Sequence, residues 1–246
     1  MEEVKTEKFG SRNSTLKSLL TENKINFLSN IWVITCRASI NADKNKRYLV
    51  CIEVQYDEIE YKDLLNNINK NISILFVKFN EENKQVFVEN LKTNKKGEMS
   101  YDDFKKRIIE VTGCNYVDSY ALGSKESSPL SRYFRENMGK GFALTDIDFY
   151  LTKRNIFIEE KNFVIGNIGY VGIGQCISFK EIINDIFVDL ELKIICISKN
   201  EFYIADLKQI NCHNSEIISG WGKMVAFDIV KISKKDLINY LQKELK

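Results

Sequence analysis

One histidine, one proline and no CxxC pair stand in a chain of 246 residues. The lone His213 excludes any site that needs two imidazoles, HExxH zinc centres among them. It leaves a Ser-His-Asp triad only through that residue. The six cysteines, Cys36, Cys51, Cys114, Cys176, Cys196 and Cys212, are spaced too far apart for a zinc ribbon. Most sit in apolar runs, such as Tyr48-Leu-Val-Cys-Ile and Ile194-Ile-Cys-Ile, and read as buried, reduced thiols of a cytoplasmic protein. No apolar run approaches the ~20 residues of a membrane helix, and MEEVKTEKFG has no apolar leader segment, so no membrane role is expected. A dominant charge is also lacking. With 36 Lys and Arg against 34 Asp and Glu, the chain is neither a basic tail nor an acidic disordered segment. Binding to nucleic acid would need a local basic patch.

What is present is an ordinary apolar fraction, 44%, enough for a sizeable core. Its patterning predicts an α/β protein. Helices are expected over Ser14–Phe27, Glu58–Asn69, Tyr101–Val111, Gln175–Val188 and Lys234–Leu245, the last capped by Ser233. β-Branched runs predict strands over Ile31–Ile40, Tyr48–Gln55, Ile72–Phe79, Gln85–Glu89, Leu190–Ser198, Glu201–Leu207 and Met224–Ile232. Ala121–Pro129 is small and polar and reads as a linker. Ser128-Pro129 then starts a helix that runs to about Asn137. The expected division is 1–122, a smaller α/β region, and 127–246. No internal repeat is visible.

The informative stretch is Leu144-Thr-Asp-Ile-Asp-Phe-Tyr-Leu-Thr-Lys-Arg-Asn-Ile-Phe-Ile-Glu-Glu-Lys161. It reads as a hairpin of Phe142–Leu151 and Ile156–Asn162. Alternation puts Ile147, Phe149 and Leu151 on one face and Asp146, Asp148 and Tyr150 on the other. On the return, Phe157, Glu159 and Lys161 share a face. With a four-residue loop, Thr152–Asn155, Leu151 pairs with Ile156 and Asp148 faces Glu159. A two-residue loop, Arg154-Asn155, keeps the parity, and a three-residue loop destroys it. Asp146, Asp148, Glu159 and Lys161 then gather on one side of the sheet. Carboxylates crowded together repel unless a cation sits among them. Mg²⁺ commonly takes one or two carboxylates plus waters and phosphate oxygens, and a neighbouring lysine can offset developing negative charge. No histidine is required.

This stretch resembles the PD-(D/E)xK nuclease superfamily, with Asp148 or Asp146, and Glu159-Glu160-Lys161 as the E-x-K element. The resemblance covers about Ser127–Ser198. It includes the order helix, acidic strand, E-x-K strand, glutamine-bearing helix, strand. It implies a restriction-endonuclease-like mixed sheet flanked by helices over 127–246. It also implies hydrolysis of phosphodiesters with Mg²⁺ or Mn²⁺, on DNA rather than RNA. Asp148 and Glu159, with Asp146 as the alternative acid, would hold the metal, and the Glu160 carbonyl would be a third ligand. Lys161 would position the water. Gln175 stands where some members carry a further glutamine, and Glu136 where some add an acid from the preceding helix. The strand before the acidic one is the part least matched, with only Gly139–Leu144 available. Cleavage of both strands would favour a homodimer, because two strands need two sites.

Arg132, Arg135 and Lys140 before the hairpin, and Lys153 and Arg154 in its turn, are the candidate DNA contacts. His213 reads as a surface residue. Gly166–Gly174 is glycine-rich but fits neither GxGxxG nor a P-loop and reads as a loop. Glu53-Val-Gln55 faintly echoes a second acidic hairpin, with glutamine in the lysine position. An ordinary strand explains it as well.

Overall fold

Runs of β-branched residues form most of the strands, and Ser100, Ser128 and Ser233 cap helix starts. The computed structural model describes residues 14–36, 48–53, 68–113, 128–138, 142–187, 190–218 and 222–243. Most of the expected helix at 58–69 and of the linker at 121–129 lies outside these residues. The protein is mixed α/β. By internal contacts it forms two compact units that interleave along the chain. One holds Ile34–Gln55 and Ser73–Leu144, and the other Thr15–Val33, Tyr56–Ile72 and Thr145–Lys246. This differs from the sequential split expected at 122–127, and packing explains why. Helix α1 (Thr15–Glu22) buries Leu16, Leu19 and Leu20 in one core with Phe149, Ile158, Ile195 and Leu237. In the first unit Tyr133, on the later helix Pro129–Asn137, stacks against Phe79 and Phe104.

The first unit's strands are β1 (Ile31–Cys36), β2 (Tyr48–Glu53), β3 (Ser73–Asn80), β4 (Gln85–Asn90) and β5 (Lys95–Ser100). With β6 (Phe142–Ile147) they form a sheet in the order β5-β4-β3-β2-β1-β6. β2 and β3 are parallel, and β4 and β5 continue antiparallel. β5, too polar to be predicted, pairs residue for residue with β4 and leads into α2 (Tyr101–Thr112). Ser100 caps α2 by accepting the Asp103 amide, and Gly113 ends it at φ 65°, a left-handed conformation that favours glycine. α3 (Pro129–Asn137) starts as predicted, with Ser128 as cap and Pro129 in the first turn.

The second unit holds β7 (Phe149–Leu151), β8 (Ile156–Lys161), β11 (Glu191–Ser198), β12 (Glu201–Asp206) and β15 (Val230–Ile232), in the order β15-β12-β11-β8-β7. β8 and β11 are parallel, joined through α4 (Ile173–Glu181) and a π-turn, Ile182–Ile186. β12 and β15 continue antiparallel, and α5 (Lys234–Gln242) follows with Ser233 as its cap. This strand order repeats that of β1 to β5, although the sequences share no visible repeat.

A separate four-stranded sheet, in the order β13-β14-β10-β9, holds β9 (Val164–Ile165), β10 (Ile168–Gly172), β13 (Ser215–Ile218) and β14 (Gly222–Asp228). Three readings change here. Gly166–Gly174 is largely a strand rather than a loop, because Gly169 lets β10 lie against Phe227 and Ile229. A Cβ there would come within 2.7 Å of the Phe227 ring. Met224–Ile232 is two strands in two sheets, interrupted where the Ile229 amide turns to the Asn167 carbonyl. α1 ends at Glu22, short of Phe27, and Lys24 adopts φ 55°.

The reduced state expected of the cysteines is corrected at one pair. Cys176 and Cys212 form a disulfide across 36 residues, their Cα atoms 5.8 Å apart. No spacing rule reveals a pair that only the fold brings together. Cys51 and Cys196 are free, buried thiols. Expectations for the thiols of Cys36 and Cys114 fall outside the described residues. No described helix is long and apolar enough to cross a membrane.

Candidate functional site

The hairpin turn is the four residues Thr152–Asn155, and Leu151 pairs with Ile156, Tyr150 with Phe157 and Phe149 with Ile158. Asn155 closes the turn at φ 52° and accepts the Tyr150 hydroxyl. One step further, the register sets Asp148 against Glu159. The expected strand Phe142–Leu151 is broken there: β6 ends at Ile147 and β7 begins at Phe149. Asp148 substitutes a side chain for the missing backbone partner, since its Oδ2 accepts the Glu160 amide at 2.8 Å.

Both faces of β8 are covered. Ile156 and Ile158 enter the core with α1 and α5. Phe157 points the other way and packs its ring 4.6 Å from that of Phe187. Glu159 shares the face of Phe157 and is 2% exposed, which excludes a solvated surface hairpin. Its Oε1 accepts two donors, the Lys161 ammonium at 2.5 Å and the Gln175 side-chain amide at 2.8 Å. Its Oε2 is buried and has no hydrogen-bond partner. A buried carboxylate oxygen without a donor is costly unless something else satisfies it.

The charges are strongly coupled. Burial pushes the Asp148 carboxyl up to about 6; the Glu160 amide and Lys161 oppose the rise, and Asp146 adds to it. Burial, then the charge of Asp148, pushes Glu159 well above the usual carboxylate range. Burial alone would lower the Lys161 ammonium, but the Glu159 charge and hydrogen bond outweigh it and hold the pKa above its ordinary value. Cys196 lies across from Lys161 on β11. Burial pushes its thiol up to about 12 against the pull of Lys161, so it stays protonated. Sequence reasoning missed this neighbour, because only the parallel register places it.

Asp148, Glu159, Lys161 and Gln175 are thus brought together. Asp146 is exposed and reaches the others only through its charge. Among the described residues no three His, Cys, Asp or Glu side chains form a metal-binding group. The donors that fit a hard divalent cation are therefore two carboxylates, Asp148 and Glu159, with the orphaned Oε2 as the clearest opening. Mg²⁺ commonly uses one or two carboxylates. Such an ion lowers the pKa of bound water and stabilises charge on a phosphate.

Of the expected DNA contacts, Arg132 and Arg135 lie on α3, Lys153 and Arg154 lie in the hairpin turn, and Lys140 falls outside the described residues. Arg132, on α3 in the first unit, pairs with Glu81 at 2.5 Å. Arg135 and Glu136 on the same helix are exposed. Arg154 donates to the Tyr240 carbonyl at 2.5 Å and lies over that ring at 4.3 Å, fastening the turn to α5. Lys153 shares that turn. β8 runs from Ile156 to Lys161, so the turn lies about 17 Å along the strand from Lys161. His213 is exposed in a turn.

Among its described residues the first unit offers no second site in register. Counting back from the caps, Met99 faces Val86, and Val86 leads to Phe79; Ile232 faces Phe202, and Phe202 leads to Ile197. Three residues earlier, Phe76 faces Ile52 where Ile194 faces Glu159. Ile52 therefore occupies the position of Glu159. Glu53 is one residue out and so lies on the opposite face. There its Oε1 accepts the Leu130 amide at 2.9 Å, capping α3. Its partner in the echo, Gln55, lies outside the described residues.

No protein-family model, curated protein or solved structure matches the chain.

Proposed function

We propose that the protein is a metal-dependent nuclease hydrolysing phosphodiester bonds in DNA, of the restriction or recombination and repair type, with a restriction-endonuclease-like second unit. One observation carries the reading. Glu159 is buried on a central strand with one oxygen held by Lys161 and Gln175 and the other unsatisfied, and Asp148 is set beside it by register. The order of acidic strand, E-x-K strand, glutamine-bearing helix and parallel strand supports the same reading. Asp148 and Glu159 would bind Mg²⁺ or Mn²⁺. Lys161 would orient the attacking water and offset charge on the phosphate. Gln175 would hold the Glu159 carboxylate in place.

The test is plasmid nicking with Mg²⁺ or Mn²⁺ by the wild type, Asp148→Ala and Lys161→Ala, with calorimetric titration of Mn²⁺ as a readout independent of cleavage. Nicking and Mn²⁺ binding by the wild type, with both lost in Asp148→Ala, support the reading. A protein that never cuts plasmid, single strands or branched DNA, yet binds DNA tightly, would be a non-catalytic nucleic-acid-binding module with the same fold. That the described residues bring no third acid into a metal-binding group favours that second reading.

A further inference from the structure

Lys161 pairs across strands with Cys196, Cys196 with Tyr203, and Tyr203 with Lys231. The four side chains therefore share one face of the sheet. Three strand spacings separate the first from the last, about 14 Å. That matches the axial rise of about four nucleotides of one DNA strand. The row lies near the carboxyl ends of the parallel strands β8 and β11, the edge at which open α/β sheets hold ligands. The same edge carries more exposed lysines: Lys199 in the β11–β12 turn, and Lys234 and Lys235 in the first turn of α5. Beyond Asp148 and Glu159 beside Lys161, the edge carries two acids, and both are engaged. Glu201 pairs with Lys231 and accepts the Tyr203 hydroxyl at 2.6 Å, and Asp236 accepts the Ser233 hydroxyl at 2.6 Å.

A lysine-rich chain scatters lysines over its surface, so a patch needs a control. The molecule contains one. The edge of the first unit that corresponds by strand order and cap position bears Glu81, Glu82 and Lys84 in its turn, with Glu81 paired to Arg132, Glu98 where Lys231 stands, and Asp102 where Lys235 stands. The two edges are built alike and charged oppositely. Helix stability does not explain the basic one. Cations in a first turn oppose the helix dipole, so Lys234 and Lys235 weaken α5 where Asp102 and Asp103 support α2.

We propose that this edge, from Lys161 past Lys199 to Lys231, Lys234 and Lys235, is the track for the phosphodiester backbone of duplex DNA. The hairpin turn, at the other end of β8, is not. The assignment rests on the nuclease reading for its substrate, and its test separates the two. Fluorescence anisotropy measures binding of a 20-base-pair duplex to Lys161→Ala protein, which cannot turn over, with and without K199E/K234E/K235E. The milder K199Q/K234Q/K235Q is the second variant, and circular dichroism checks the fold of each. The expected result is at least tenfold weaker binding for the glutamate triple. The glutamine triple should show a smaller loss and a salt slope shallower by about 2–3, near 0.9 per lost phosphate contact. Lys208→Glu, at the other end of β12, should bind unchanged. Unchanged affinity and slope in both triples, or an equal loss in Lys208→Glu, would overturn the track; wild-type cleavage would then leave the nuclease reading standing. A wild type that neither binds nor cuts DNA overturns both. Lysine-dependent binding of a 20-nucleotide RNA without binding of the duplex overturns the choice of DNA.

Discussion

Two sheets of the same strand order carry two buried glutamates, Glu53 and Glu159, with opposite surroundings. Glu53 lies at the end of β2 and accepts the amide of a helix start, which makes it a structural cap. Glu159 lies on the other face, bound to a lysine and a glutamine, with one oxygen unsatisfied and a second acid beside it. A shift of one residue in strand register separates a cap from a candidate metal ligand. Burial of an acid is therefore no sign of a site by itself. The sign is its company: a lysine and a glutamine on one oxygen, and a second acid beside it.

The largest expected effect separates the units by activity. Glu159→Gln and Lys161→Ala should each lower Mg²⁺-dependent plasmid nicking by about 10²–10³-fold or more. Glu53→Gln, which keeps an oxygen for the Leu130 amide, should nick like the wild type. Equal losses in all three would remove the distinction.

The next effect tests the likeness. Phe104 and Leu237 each stand four residues after a capping serine and are fully buried. Phe104→Ala should cost about 3–5 kcal/mol and Leu237→Ala about 2–5 kcal/mol in denaturant unfolding. Little loss in either would mean the two helices are not equivalent supports. Only the second unit has the Cys176–Cys212 bond, at the turn that presents Gln175. Cys176→Ser with Cys212→Ser should cost about 2–4 kcal/mol in the same experiment.

A smaller effect concerns pH. Asp148 is raised in the folded protein, so the native state holds its proton more tightly than the unfolded chain does. Stability of the metal-free protein should then fall as pH rises from about 4 through about 6. Asp148→Asn keeps an acceptor for the Glu160 amide and removes the buried charge. It should be more stable than the wild type at pH 8 by about 1–3 kcal/mol, with the gain gone near pH 4. Thermal melts across that range check it, and a gain independent of pH would contradict the assignment. Smallest of all, Lys234→Asp and Lys235→Asp should each raise thermal stability by about 0.3–1 kcal/mol while weakening DNA binding. A loss of stability would show that these lysines support α5.

The hairpin and the gathering of Asp148, Glu159 and Lys161 on one face were legible in the sequence, because alternation and loop parity leave few registers; the choice of the four-residue turn, and so of Glu159 rather than Lys161 opposite Asp148, needed the fold. Ser128-Pro129 and Ser233 announced their helices through local capping chemistry. What the sequence concealed was non-local. β5 is polar and owes its existence to β4. The disulfide joins residues 36 apart. The repeated strand order is fixed by pairing, which Lys-rich and Ile-rich segments can satisfy without sharing residues. Arg154 looked like a substrate contact because a turn cation usually faces water. Its fastening to Tyr240 depends on a helix more than eighty residues away. Lys161 was placed beside Glu159 by spacing alone, but the orphaned oxygen of Glu159 needed the fold.

Calorimetric titration of Mn²⁺ at pH 7.5 tests the central claim most directly. The account predicts one ion per chain, with binding lost in Asp148→Asn and Glu159→Gln and unchanged in Glu53→Gln. Absence of binding in the wild type, or binding that survives Glu159→Gln and is lost in Glu53→Gln, would contradict it.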